Sequence, residues 1–175
     1  MNAKKLPVRR LLQTATLLIA TGISGCLFAS GDERSHTLPA VSNAKWKAEC
    51  SSCHTLFHPA LLPERSWRAL MGGLDKHFGE NASLDAATQK EIADFLALNA
   101  ADRSNHRRAT RIAQSIAARE TPLRISETGY FIRKHDELAA SVWQRKAIGS
   151  KANCAACHPD ADRGVFDEHS IRIPR

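Results

Sequence analysis

The spacing of apolar residues along the chain predicts short helices joined by loops. In the stretch after Ser66, apolar side chains recur every three or four residues, which is the period of one face of an α-helix. His77 falls on the same face. We expect Ser66 to cap this helix and Gly79 to close it. The apolar positions are Trp67, Leu70, Met71, Leu74 and Phe78.

Two later stretches have the same helical period. One is expected to begin at a Ser83 cap, with Asp85 in its first turn. The other, "RATRIAQSIAARE", is expected to end before Thr121 and Pro122. The inner faces are Ile92, Phe95, Leu96 and Asn99 in the first, and Ala109, Ile112, Ala113, Ile116 and Ala117 in the second.

A fourth stretch places another histidine on an apolar face. Phe131, His135, Leu138 and Val142 form one stripe, so the imidazole of His135 is expected to point with the apolar side chains. No stretch alternates with a period of two. The sequence therefore predicts an all-α fold.

The beginning of the chain has the character of an export signal. Four basic residues precede the apolar run "LLQTATLLIATGI", and polar residues follow from about residue 30. We interpret residues 1–25 as the signal and residues 26–44 as a linker, with an uncleaved anchor as the alternative. The expected location is the periplasm.

The tetrapeptide "ISGC", which ends at Cys26, has the pattern found before the modified cysteine of bacterial lipoproteins. Lipids attached to Cys26 would tether the mature protein to a membrane face. The alternative is that Cys26 is removed with the signal.

Composition and charge narrow the classes of function. Residues 1–25 contain four basic and no acidic residues, so their removal lowers the formal charge from +7 to +3. Such a chain, without a dense basic stripe, is not expected to bind nucleic acid. Aromatic residues are only 6% of the chain, which suggests that another apolar group fills part of the interior.

Four of the five cysteines stand in two identical patterns, "CSSCH" and "CAACH". Cys-x-x-Cys-His is the attachment motif of c-type haem, because two thiols at this spacing reach the two vinyl groups on one porphyrin edge and the histidine reaches the iron. The attachment residues are Cys50, Cys53, Cys154 and Cys157, and the proximal ligands are His54 and His158. We expect two covalently bound haems c, haem 1 in residues 45–100 and haem 2 in residues 101–175, packed as one compact unit.

The cysteines have three other possible uses. A zinc site would take four thiolates from distant pairs and leave both histidines without a purpose. A thioredoxin-like couple needs one Cys-x-x-Cys after a strand, and no strand pattern is present. Structural disulfides are the third alternative for an exported chain.

The sixth ligand of each iron is expected to be histidine. Of two methionines, one is the initiator, so Met71 could serve one haem at most. We assign His77 as the distal ligand of haem 1, where Gly72 and Gly73 would let the backbone approach the flat macrocycle. We assign His135 to haem 2, with His169 in reserve.

The remaining histidines rank lower as ligands. His58 lies one helical turn after His54 and before a proline, so it would lie on the proximal side of haem 1. His36 falls in the linker. His106 falls in a charged run, where solvation is expected.

The chain resembles the bacterial dihaem cytochrome c family. The resemblance is carried by "AECSSCHTLFHPALLPERSWRALMGGLDKHFGENASLD", "RISETGYFIRKHDEL" and "NCAACHPDADRGVFDEHSIRIPR". It implies two low-potential haems with two axial histidines each, and an electron-transfer role. It also implies redox partners such as an oxygen-binding monohaem cytochrome c and a membrane cytochrome b. The lipoprotein-like Cys26 departs from the family pattern.

Two functions remain open at the level of sequence. The first is an electron carrier, which would dock through local patches such as Arg103, Arg107, Arg108 and Arg111. The alternative is a dihaem peroxidase or small-molecule reductase with one open haem site, which would also need a nearby acid or base.

Overall fold

A computed structural model describes residues 37–175 of the 175-residue chain. The predicted signal, Cys26 and His36 therefore lie outside the described residues. The α-helices are α1 (Ala44–Cys50), α2 (Glu64–Gly72), α3 (Ala86–Leu98), α4 (Arg107–Gln114), α5 (Gly129–Lys134) and α6 (Ala140–Trp143). Short 3-10 turns lie at Pro59–Leu61, Leu74–Lys76, Ala101–Arg103, Ile125–Glu127, Cys154–Ala156, Ala161–Arg163 and Glu168–Ser170.

The helical fold class predicted from the sequence is confirmed. Across residues 37–175, β-structure is limited to two isolated bridges, one between Thr37 and Val165 and one between His77 and Glu80. None of the helices in this range is long and apolar enough to cross a bilayer.

The apolar interior consists of two small clusters. The first lies between α1, α2 and α3, where the rings of Trp46 and Phe95 are 5.1 Å apart. The second gathers Leu38, the Pro59–Leu61 turn and α4. Ile125 packs against both clusters, and the amide of Ala101 donates a hydrogen bond to the carbonyl of Leu62. The two halves of the chain therefore share apolar contacts and a backbone hydrogen bond.

His58 ties the start of the described chain to its last third. Its Nε2 donates to the carbonyl of Pro39 over 2.8 Å, and its Nδ1 accepts from the amide of Ala60. Gly164, with φ of +73°, packs beside it so closely that a Cβ there would lie 2.8 Å from the imidazole. The amide of Leu38 also donates to the carbonyl of Gly164. His58 is thus a buried structural residue.

The boundaries of the first predicted helix were wrong. Pro63, not Ser66, occupies the N-cap position of α2, and Ser66 is buried inside the helix. The helix ends at Gly72, since consecutive glycines there favour termination over continuation. His77 follows a separate 3-10 turn and is not on the predicted helical face.

Two other predicted boundaries also shift. The carboxylate of Asp85, rather than Ser83, caps α3 by accepting from the amides of Ala87 and Thr88. Helix α4 ends at Gln114, well before Thr121. A carboxylate that accepts hydrogen bonds from two unpaired amides of the first turn strongly favours the start of a helix. The sequence pattern alone did not distinguish Asp85 from Ser83 as the cap.

The predicted stripe through His135 is divided between two helices. Helix α5 ends at Lys134, His135 is its C-cap residue, and the short α6 begins at Ala140. Phe131 and His135 remain neighbours across the last turn of α5, with ring centroids 4.0 Å apart.

We predict that acidification destabilises the protein through His58. Burial lowers the pKa of His58, so the folded state binds this proton less readily than the unfolded chain. The free energy of unfolding should therefore fall as the pH drops below about 6.5. Substitution His58→Gln should lower stability by about 1–3 kcal/mol at pH 7 and reduce this pH dependence, as measured by denaturant unfolding.

The matched control for this prediction is His169→Gln, at a histidine whose side chain is 91% exposed. It should change the free energy of unfolding by no more than about 0.5 kcal/mol. An unchanged pH dependence in His58→Gln would contradict the prediction.

Candidate functional site: two haem-binding sites

Helix α1 delivers the first attachment motif to the surface. Asn43 caps the helix by accepting from the amide of Trp46, whose ring is buried. The helix ends at Cys50, which is half-buried against the first apolar cluster. Cys53 and His54 follow it and are exposed. Burial raises the pKa of the Cys50 thiol to about 11, so this thiol is protonated at neutral pH.

The imidazole of His54 is oriented by its own backbone. Its Nδ1 lies 2.7 Å from the carbonyl oxygen of Thr55, and a carbonyl can only accept, so Nδ1 carries the proton. The ring also stacks on Phe57, with centroids 4.8 Å apart. These contacts leave the lone pair of Nε2 available for a metal.

The structure brings the imidazole of His77 close to that of His54. The two ring centroids are 6.2 Å apart and the planes differ by 24°. His77 follows the turn Leu74–Lys76, and the amide of Ala82 donates to the carbonyl of Leu74 to close this loop. His77 thus faces His54 from an irregular loop rather than from a helix.

The second attachment motif lies in a tight turn. Cys154–Ala156 is a 3-10 turn, and the amide of His158 donates to the carbonyl of Cys154 over 2.8 Å. Burial raises the pKa of Cys154 to about 11. This turn places both thiols and the imidazole of His158 on the wall of one apolar cleft.

The second histidine pair has the same spacing with a different orientation. The ring centroids of His135 and His158 are 6.2 Å apart and their planes differ by 85°. The Nδ1 of His135 lies 2.8 Å from the carbonyl of Phe131, which again leaves Nε2 free. The Nδ1 of His158 is buried and has no hydrogen-bond partner within residues 37–175.

Both spacings fit an iron atom between two imidazoles. Two metal–nitrogen bonds of about 2 Å each, together with the radii of the two rings, separate the centroids of opposed imidazoles by about 6 Å. Two imidazoles in direct van der Waals contact would stack more closely, as Phe131 and His135 do at 4.0 Å. The residues present therefore fit a six-coordinate haem at each site.

The end of the chain forms one wall of the haem 2 cleft. The amide of Arg172 donates to the carbonyl of Cys157, and Arg145 donates to the carbonyl of Pro174. Ile171 and Ile173 line the cleft. The side chain of His169, by contrast, is 91% exposed and contacts Asp167. The structure thus brings His135, and not His169, against His158.

The other candidate ligands have different neighbours. Both ring nitrogens of His58 are engaged by the backbone, so neither is available to an iron, in agreement with its low rank as a ligand. His106 was expected to be solvated, but it caps α4 by accepting from the amide of Arg108. Met71 is buried in the first apolar cluster.

The two thiol pairs lie in different places. Cys50 packs against the first apolar cluster, whereas Cys154 and Cys157 line the haem 2 cleft. A shared zinc site would need four ligands within one coordination sphere, so this arrangement does not favour that alternative.

Aromatic and cationic side chains surround the candidate ligands of haem 2. The ring centroids of Trp143 and His135 are 5.7 Å apart, and those of Phe166 and His158 are 5.4 Å apart. Lys151 lies over the ring of Trp143 and Arg108 over that of Phe166. Sequence reasoning missed Trp143 and Lys151, although both stand in the stretch after His135, whereas Arg108 and Phe166 are 58 positions apart and no local pattern pairs them.

Comparisons with known proteins agree on one family. A family profile described as dihaem cytochrome c matches residues 46–166. A solved dihaem cytochrome c from Rhodobacter sphaeroides is 48% identical, with a TM-score of 0.64, over 73% of this chain and 98% of that one. A dihaem cytochrome from Shewanella baltica is 37% identical, with a TM-score of 0.62, over 75% of this chain and 93% of that one.

A comparison with curated protein sequences gave no match. The family profile and the solved structures cover both attachment motifs and most of the described residues. The chain therefore belongs to the dihaem cytochrome c family of haem-based electron-transfer proteins and carries two covalently bound c-type haems.

Proposed function

We propose that this protein is an exported electron carrier in which each iron is held between two imidazoles. His54 and His77 are the ligands of haem 1, and His158 and His135 are the ligands of haem 2. The observation that carries this proposal is the 6.2 Å centroid spacing in both pairs. Cys50, Cys53, Cys154 and Cys157 form the thioether links.

Paired imidazoles suit electron transfer at low potential. Each haem supplies one electron through the ferric and ferrous states of its iron. Two imidazoles stabilise the ferric state more than a histidine–methionine pair does, which lowers the potential. The carbonyls of Thr55 and Phe131 hold His54 and His135 in place, so the ligands keep their positions in both oxidation states and reorganisation is small.

The side chains around the haem 2 cleft exclude water and supply positive charge. Leu61, Ile112 and Ile125 provide apolar wall, and Arg108, Lys134 and Lys151 lie at the same cleft. Lys134 also forms an ion pair with Glu168 over 2.6 Å. Cations at the edge of an apolar cleft favour carboxylates, so these residues would hold the haem propionates.

Partner docking is proposed at the exposed side of haem 1. The first attachment motif follows the end of α1 at the protein surface, so we expect haem 1 to lie near the surface, where a partner can approach it closely. The arginine patch expected from the sequence is divided, because Arg103 forms an ion pair with Glu64 and Arg108 lies over Phe166. Candidate partners are other redox proteins, among them an oxygen-binding monohaem cytochrome c and a membrane cytochrome b.

Export to the periplasm and a lipid tether at Cys26 are supported by the sequence pattern alone. A dihaem peroxidase would need one open iron position. The spacing of both histidine pairs favours two six-coordinate irons instead.

We predict that the distal histidines control spin state. The oxidised wild type should be fully low-spin, and its reduced form should bind carbon monoxide slowly. His77→Ala and His135→Ala should each convert one haem to high spin, because each removes one axial nitrogen. Visible and resonance Raman spectra would measure the change.

His169→Ala is the matched control for these variants and should leave both haems low-spin. A silent His135→Ala together with a high-spin His169→Ala would transfer the distal assignment to His169. A high-spin haem in the wild type would favour the peroxidase alternative.

We also predict two different low-spin signals in electron paramagnetic resonance. The orientation of two axial imidazoles sets the anisotropy of a ferric haem. Near-parallel planes, as in the 24° pair, give a rhombic signal, and near-perpendicular planes, as in the 85° pair, give one broad signal at high g. His77→Ala should remove the rhombic signal and His135→Ala the broad one. Two identical signals in the wild type would contradict these geometries.

We predict that Cys26→Ala releases the protein from membranes, because the thiol that carries the lipid is lost. Fractionation of cells that express either form, followed by haem staining, measures the distribution. The Cys26→Ala protein should remain in the periplasm with both haems attached. Unchanged membrane partitioning would remove the tether from the proposal.

A further inference from the structure

The loop after His77 has a backbone conformation that its sequence does not favour. His77 and Glu80 close a tight turn, in which the amide of Glu80 donates to the carbonyl of His77. Both central residues are left-handed, with φ of +52° at Phe78 and +104° at Gly79. The first of these positions normally holds Asn, Asp or Gly, because a larger side chain is strained there. Among residues 37–175, Phe78 is the only non-glycine with positive φ.

Burial does not explain this strained phenylalanine. Phe78 belongs to neither apolar cluster of the described residues, so core packing offsets little of the strain. Its ring instead lies edge-on to the imidazole of His77, with centroids 4.9 Å apart and planes at 63°. Strain retained at a residue that contacts a candidate ligand indicates a functional constraint.

The guanidinium group of Arg124 lies over the ring of Phe78. Its guanidinium carbon lies 4.1 Å from the centroid of the Phe78 ring, within the range of a cation–π contact. Arg124 directly precedes the Ile125–Glu127 turn. Ile125 packs against both apolar clusters and lines the haem 2 cleft. The backbone that carries Arg124 is therefore anchored in both halves of the molecule.

His77 differs from the other candidate ligands in how it is held. His54 and His135 each have an Nδ1 bonded to a backbone carbonyl. His158 is packed against Phe166 and is half-buried in the haem 2 cleft. No such carbonyl contact to the ring of His77 exists in the described part of the chain, so ring contacts are what orient it.

We propose that Phe78 and Arg124 are positioning residues that hold the imidazole of His77 on the iron of haem 1. This inference rests on the proposed role of His77 as the distal ligand. Phe78 restricts the tilt of the imidazole, and Arg124 keeps the phenylalanine ring in place. The strained turn is retained because only its left-handed backbone directs both rings to the same side.

Substitutions at Phe78 and Arg124 can distinguish the positioning role from a purely structural one. Phe78→Asn removes the ring and suits the left-handed backbone, so its melting temperature should equal or exceed that of the wild type. Arg124→Gln removes the cation and keeps a long polar side chain. Both changes should make His77 dissociate more readily from ferrous iron.

The experiment measures carbon monoxide binding to the reduced, full-length holoprotein by stopped-flow absorbance. Carbon monoxide occupies the position only after the bond between His77 and iron breaks, so its rate reports the dissociated fraction. Arg124→Gln should raise the rate at haem 1 about two- to fivefold, the factor that matches a cation–π contact at an exposed site. Phe78→Asn should raise it at least as much. The rhombic signal of the oxidised protein should broaden in both variants.

Three variants serve as controls. Arg119→Gln changes an exposed arginine that has no ion pair or ring contact among residues 37–175, and it should match the wild type. Arg124→Lys and Phe78→Tyr keep the cation and the aromatic face, so they should restore slow carbon monoxide binding. The broad signal assigned to haem 2 should stay constant in every variant.

The outcomes distinguish this inference from the function on which it rests. If Phe78→Asn and Arg124→Gln bind carbon monoxide as slowly as the wild type while His77→Ala is high-spin, His77 is the ligand and the positioning role is overturned. If His77→Ala leaves haem 1 low-spin, the proposed ligand itself is wrong.

Discussion

The proposed function depends on one constraint, which is that the two imidazoles of each site must be separated by two metal–nitrogen bonds plus the radii of both rings. The spacing of both histidine pairs fits it, with centroids 6.2 Å apart. Each pair joins a histidine of an attachment motif to one from a different segment, and none of the four lies inside a regular α-helix. The regular backbone of a helix fixes the direction of each side chain, whereas the backbone of a cap or loop residue can adopt the conformation that one side chain needs. Hydrogen bonds to backbone carbonyls then fix the ring orientation of His54 and His135.

The haems also account for the modest apolar interior of the protein. The described residues form two small clusters rather than one large core. Cys50 packs against the first, and the apolar cleft around Cys154 and His158 adjoins the second through Leu61 and Ile112. A porphyrin at each site extends these clusters with a large apolar surface. This explains why a chain with 6% aromatic residues builds a compact helical fold.

The two sites are related by motif but differ in environment. At haem 1 the motif histidine, His54, is bonded to a backbone carbonyl, that of Thr55. At haem 2 the histidine bonded to a backbone carbonyl is His135, which lies outside the attachment motif. Haem 2 also has three cationic side chains at its cleft. Charge, solvent exposure and hydrogen bonds to the ligands all shift the potential of a haem. On the proposed function we therefore expect different potentials at the two irons, and a gradient between them would give electron flow a direction.

The sequence by itself determined the cofactor, because haem attachment needs two thiols and an imidazole within five consecutive residues, and such local chemistry is legible in any fold. It also determined the helical class, since a period near 3.6 is a property of neighbouring residues. Helix boundaries were less accessible, as the choice of Asp85 over Ser83 shows. The sequence pattern also proposed His77 and His135 as the partners of the motif histidines, although the helical face predicted for His77 is not formed. Only the tertiary structure placed each of them 6.2 Å from its partner and brought Arg124 over Phe78, because these contacts join segments that are far apart in the chain.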